Sequence, residues 1–211
     1  MVRVKICGIS DPGAALAAAE AGADAIGLIF APSRRRVTVP RAAEIARALP
    51  PFVTKVGVFV DETRDGIEET AAAVGLEMVQ LHGNETPEFA ASLRLPVLKV
   101  IRVKDAPSPA LLGAYRVSAF LLDTFDADAP GGTGRTFDWG LAADASGRYR
   151  VIISGGLRPD NVIEAIERVC PYGVDVSSGV ETGGAKDHAK IREFVRVVRQ
   201  WNDRKQEAGS R

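Results

Sequence analysis

The stretch from Tyr149 to Gly179 reads YRVIISGG (149–156), RPDNVIEAIERV (158–169) and YGVDVSSG (172–179). Two short β-rich runs, each closing on small residues, flank a segment with apolar positions at helical spacing, so it forms a strand, helix, strand unit. Its position decides the fold. Six strand patterns precede it: VRVKICG (2–8), DAIGLIF (24–30), FVTKVGVFV (52–60), LEMVQLH (76–82), PVLKVIRV (96–103) and VSAFLLDT (117–124). A doubly wound sheet usually stops at five or six strand-helix pairs. A seventh and an eighth, with continuous apolar strands suited to cover on both faces, predict an α/β protein built as a single (β/α)8 TIM barrel.

Helical patterns fill the intervals: PGAALAAAEAGA, PRAAEIARAL, RDGIEETAAAV, TPEFAASLR, PALLGAYR, a short one after Phe137, and finally DHAKIREFVRVVRQW after strand eight. Asp11 and Asp160 suit helix starts, and Gly22 and Gly75 suit helix ends. With 211 residues the chain is short for a barrel of this kind, typically about 250 residues, so its loops must be lean. The barrel is expected over 1–201. The tail 202–211, NDRKQEAGSR, is polar without an apolar stripe and reads as a frayed end.

Twenty-seven basic residues balance 27 acidic ones, which gives no footprint for nucleic acid or an anionic membrane. No apolar run approaches the ~20 residues that span a bilayer, and the start lacks the order of a secretory signal. A cytoplasmic protein is expected, with Cys7 and Cys170 as free thiols. Periodicity does not separate an interface from core, so monomer and homodimer both remain open.

In such barrels the chemistry sits where the strands end. Strand seven ends SGGL and strand eight DVSSGVE, so Gly155, Gly156, Ser177, Ser178 and Gly179 can bring backbone N–H groups onto an anion, which predicts a phosphorylated substrate. Tight turns are the plainer explanation. Cys7 ends strand one; it is a small buried hydrophobe or, with cationic neighbours, a thiolate base. Asp123 ends strand six and is a general acid or a loop cap. Arg36, with Arg34 and Arg35 in FAPSRRRV, either faces solvent or grips a carboxylate through its bidentate fork. His82 in QLHGNE is a base, a ligand or a structural residue. No metal-ligand spacing accompanies it or His188, so no metal is expected. Gly131, Gly132 and Gly134 in GGTGRTFDW suit a mobile loop over the site, or a flexible surface loop without function.

Taken in order, KICGI, GLIF with PSRRRV, VGVFV, VQLHG, LLDT, GGTGRTFDW, SGGL with RPDNV, and DVSSGVE with KD resemble phosphoribosylanthranilate isomerase from Lys5 to about Phe194. The resemblance implies the Amadori rearrangement of N-(5-phosphoribosyl)anthranilate in tryptophan biosynthesis. It implies Cys7 as general base, Asp123 as general acid, Arg36 on the anthranilate carboxylate and the SGG and SSG loops on the phosphate. Two proton transfers need no cofactor.

Lys5 lies two residues before Cys7 and shares its face. Strand eight closes against strand one, so Lys5 is expected to point inward and pair with Asp175; an amine facing the helices, or more than ~6 Å from every carboxylate, would reject this. Two rival readings compete with this one. The related histidine-pathway isomerase resembles a barrel with aspartate in place of Cys7 and needs a second anion loop, which VFVDETRD does not offer. A non-catalytic phosphate-binding barrel would need neither Cys7 nor Asp123.

Overall fold

The computed structural model describes residues 1–103, 106–124 and 139–209. Strands β1 (Arg3–Cys7), β2 (Ala25–Ile29), β3 (Thr54–Phe59), β4 (Met78–Leu81), β5 (Val97–Val103), β6 (Ala119–Thr124), β7 (Val151–Ile153) and β8 (Gly173–Val176) form a closed parallel barrel. Closure is by β8 on β1, with Lys5 opposite Asp175. Each predicted strand is present, trimmed by one to a few residues at its ends. The proposed glycine loop at 131–134 lies outside the described residues.

Helices α1 (Pro12–Glu20), α2 (Val39–Ala48), α3 (Arg64–Val74), α4 (Pro87–Ser92), α5 (Pro109–Ala114), α6 (Gly140–Ser146), α7 (Val162–Val169) and α8 (His188–Gly209) alternate with the strands. The first five start alike: Asp11, Thr38, Thr63, Thr86 and Ser108 each accept a hydrogen bond from the backbone N–H three residues on. Such a cap is worth about 0.5–2 kcal/mol. Proline follows four of these caps, where its missing N–H costs nothing.

Two helix expectations need correction. Asp160 does not cap α7; Asn161 is the cap residue and its Oδ1 accepts from Arg158 N at 2.7 Å, while Asp160 pairs with the Arg158 guanidinium. Nor does the chain fray after Trp201, since α8 continues to Gly209. Asn202 is buried there, accepting from Val2 N at 2.7 Å and donating to Val2 O at 3.0 Å. A polar side chain that serves the unpaired backbone of the N-terminus anchors the helix without an apolar stripe.

Strand alternation separates two cores. Residues such as Ile6, Ile26, Leu28, Leu122 and Ile153 face the helices in one continuous apolar layer. Inside the barrel a smaller cluster comprises Val56, Leu98, Val100, Ala119, Leu121 and Ile152. Above it, toward the C-terminal strand ends, the interior turns polar.

Candidate active site

The polar end opens into a cavity of about 400 Å³ whose wall includes Cys7, His82, Asp123, Gly155, Gly156 and Ser177. Ser178 lines it too. Gly155 and Gly156 lie at φ +84° and +64°, a consecutive left-handed pair that turns the β7 loop sharply at the cavity. Gly179 is not part of the wall; a Cβ there would collide with the Leu157 carbonyl, so it lets the β8 turn close on the β7 loop.

Beneath the cavity Lys5 Nζ donates to Asp175 Oδ1 at 2.7 Å, with both side chains 5% exposed. Ser154 Oγ donates to the other carboxylate oxygen at 3.2 Å. Burial alone would push the Lys5 amine down, but Asp175 and Cys7 outweigh it and hold the amine above the ordinary lysine value. Gly27 on β2 keeps amine and thiol together: a Cβ there would stand 2.7 Å from Cys7 Sγ and 3.2 Å from Lys5 Nζ. Burial pushes the Cys7 thiol up, and the opposing charges of Lys5 and Lys186 do not cancel that push.

Across the cavity Asp123 is 6% exposed, and one carboxylate oxygen lies 3.5 Å from His82 Nε2. Gln80, two residues before His82 on the same face, is also in the wall, with Nε2 3.3 Å from His82 Nδ1.

The arginine loop is arranged differently from expectation. Arg34 and Arg35 line the cavity, and both guanidinium groups bind Glu181, at 2.8 Å and 2.6 Å. Arg36 is exposed on the rim and is not in the wall; its backbone is bridged to Ile29 at the end of β2. Arg35 is half-buried in the wall, its side chain packed over Gly8.

Glu181 also binds Lys186 at 2.7 Å, and Lys186 Nζ donates to Ser177 O at 2.9 Å. Burial pushes the Glu181 carboxyl up, yet Arg35 and Lys186 outweigh it and hold it below the usual range. Burial pushes Lys186 down against Glu181. Sequence reasoning missed this pair. The signal was available, because Gly183-Gly184 joins strands β9 (Glu181–Thr182) and β10 (Ala185–Lys186) as a two-residue hairpin turn would.

Among the described residues no group of three or more His, Cys, Asp or Glu is placed to hold a metal ion, and no helix is long and apolar enough to cross a membrane. What the cavity offers is a thiol with cationic neighbours, a carboxylate beside an imidazole, and two turns rich in small residues.

The family model for N-(5'-phosphoribosyl)anthranilate (PRA) isomerase matches residues 4–197. A relative from Pelobacter propionicus, N-(5'-phosphoribosyl)anthranilate isomerase, is 52% identical over 202 residues, covering 95% of this chain and 97% of its own. The solved phosphoribosyl anthranilate isomerase of Thermotoga maritima superposes with a TM-score of 0.88 at 43% identity, over 95% of this chain and all of that one. Another solved isomerase, in complex with reduced 1-(o-carboxyphenylamino)-1-deoxyribulose 5-phosphate, gives a TM-score of 0.84 at 42% identity, with 95% of this chain and 100% of that chain covered. Matched over nearly its whole length by the family model and by a relative more than half identical to it, the chain belongs to the N-(5'-phosphoribosyl)anthranilate isomerase family.

Proposed function

We propose that this chain is a phosphoribosylanthranilate isomerase of tryptophan biosynthesis that works by general acid and base catalysis in the cytoplasm. The observation that carries the reading is a thiol, Cys7, and a carboxylate, Asp123, sharing one cavity with two turns of glycine and serine. Asp123 gives its proton to the ribose ring oxygen, the C1–O bond breaks, and the ring opens to a Schiff base. Cys7 thiolate then takes the C2 proton, leaving an enolamine that tautomerises to the ketone, 1-(o-carboxyphenylamino)-1-deoxyribulose 5-phosphate. Each positioned transfer is worth about 10²–10⁴-fold.

The remaining acceleration comes from holding both substrate ends. The phosphate is assigned to the β7 and β8 turns, at Gly155, Gly156, Ser177 and Ser178, with Gly179 shaping the second turn rather than touching the ligand. The anthranilate carboxylate is assigned to Arg36. Glu181 holds Arg34 and Arg35, whereas Arg36 enters no ion pair among the described residues and stands on the rim.

The test generates phosphoribosylanthranilate in situ with a chelator present and follows the loss of its fluorescence. Wild type turns it over, and Asp123→Asn loses about 10²–10⁴-fold. A folded wild type without turnover contradicts the proposal; activity on the histidine-pathway aminoaldose instead would replace it with that reading.

A further inference from the structure

One buried side chain at the site has no part in the mechanism above. Gln80 on β4 is 1% exposed in the barrel interior, where an apolar residue would fill the space at lower desolvation cost. Its amide nitrogen approaches His82 Nδ1 at 3.3 Å. With the amide nitrogen turned to the ring, Nδ1 accepts and the neutral ring carries its proton on Nε2. That nitrogen is itself buried, makes no full hydrogen bond among the described residues, and lies 3.5 Å from Asp123 Oδ2. In that arrangement the imidazole is aimed at the acid.

We infer that Gln80 and His82 form a positioning relay for Asp123: Gln80 sets the tautomer, and His82 Nε2–H stabilises the carboxylate that Asp123 becomes as its proton leaves. The inference rests on the proposed role of Asp123 as general acid. In the resting site the His82 to Asp123 contact is long, as catalytic hydrogen bonds often are before substrate tightens them. As the proton departs, charge builds on the carboxylate and the contact gains strength, so it favours the transition state over the ground state. His82 never gives up its proton, and the electron count at the substrate is unchanged.

The loop carrying His82 is held rigidly enough for this. Lys99 Nζ donates to the Gly83 carbonyl and to Glu85 Oε2, each at 2.7 Å, and the Glu85 carboxylate accepts from Asp61 N and Gly83 N. Arg102 Nη2 reaches the His82 carbonyl at 3.3 Å. Among the described residues, the charged groups on the elements packed against the ring and its loop are Asp123 from β6, Arg102 and the Lys99–Glu85 pair from β5 and the β4 loop, and Asp61 after β3. Asp61 is already occupied by Asn84 N at 2.6 Å.

Two readouts test the relay. In wild type, nitrogen NMR of the His82 ring should show the proton on Nε2 and an unprotonated Nδ1 at neutral pH; a ring protonated on Nδ1 instead would overturn the inference whatever the activity. The second compares pH profiles of kcat for His82→Asn, which withdraws the donor, and His82→Gln, whose amide nitrogen can reach the place of Nε2. His82→Asn should lose about 10-fold in kcat, the worth of one hydrogen bond to a charged group. Its pH profile should differ from that of wild type, because the donor facing the Asp123 carboxylate is gone. His82→Gln should keep most of the rate and the wild-type profile. Superimposable profiles for wild type and a folded, phosphate-binding His82→Asn would sink the relay. Absence of turnover in wild type would instead sink the isomerase reading, and the NMR result would still judge the tautomer.

Discussion

The two halves of the barrel interior are built on the same eight strands and the same register, yet they do opposite work. Below, Val56, Leu98, Val100, Ala119, Leu121 and Ile152 fill the space as an ordinary apolar core. Above, Lys5, Asp175, Gln80, Cys7 and Asp123 are all nearly as buried, at 6% exposure or less, but each has a hydrogen-bonding or ionic task. Moving one residue pair along a strand passes from an apolar position that packs to a polar one that bonds. Lys5 and Asp175 mark the boundary: they anchor the polar layer, and breaking them should damage both halves.

The largest effect on stability is therefore expected at that boundary. Asp175→Asn leaves the Lys5 amine buried without its charge partner and should cost about 3–5 kcal/mol in denaturant unfolding. Replacing both, Lys5→Met with Asp175→Leu, should recover a good part of that loss; a double variant as unstable as the single would break the comparison. The pH window follows from the sign of the shift. Because the folded Lys5 amine is held above its ordinary value, its contribution is fully present below the unfolded lysine value, about 10.4, and disappears as pH rises through the folded one.

Next in size, Leu121→Ala in the lower half should cost about 2–5 kcal/mol through the cavity it opens, with KM for substrate unchanged in the folded fraction. A raised KM at unchanged stability would mean that the two halves are not separable.

A smaller effect concerns the thiol. Since burial pushes Cys7 up, its alkylation by iodoacetamide should rise with pH and reach half its plateau above the ordinary thiol value, about 8.5. Cys170 is exposed and would react as well, so the measurement belongs in a Cys170→Gly background. Lys186→Met should move the midpoint further up by removing a cation that favours the thiolate. A plateau already reached at neutral pH would contradict the assignment.

That background carries the smallest prediction. Cys170 ends α7 at φ +50°, ψ 51°, a left-handed conformation that costs a non-glycine residue. Cys170→Gly should raise stability by about 1 kcal/mol, far from either half of the interior.

Much of this division was legible beforehand because parallel strands buried on both faces leave long β-branched runs, and each run points at the residue that ends it. Cys7, Asp123, His82 and the Ser177 turn were found that way, and Lys5 with Asp175 followed from alternation and closure. What escaped had its cause in three dimensions. Nothing local shows that Arg34 and Arg35 are held by Glu181, because that carboxylate lies 146 residues beyond Arg35. Asn202 looked like part of a polar tail because its partner is the backbone of Val2, 200 residues away. Gln80 could have been read from the alternation through His82, but an amide in a strand carries no signal until its neighbour across the barrel is known.

The central claim is that the upper layer supplies chemistry rather than stability, and Cys7→Ala tests it most directly when turnover and unfolding free energy are measured on the same preparation. The account predicts that kcat/KM falls by about 10²–10⁴-fold while stability changes by less than ~1.5 kcal/mol. A folded Cys7→Ala protein with near wild-type turnover would contradict it.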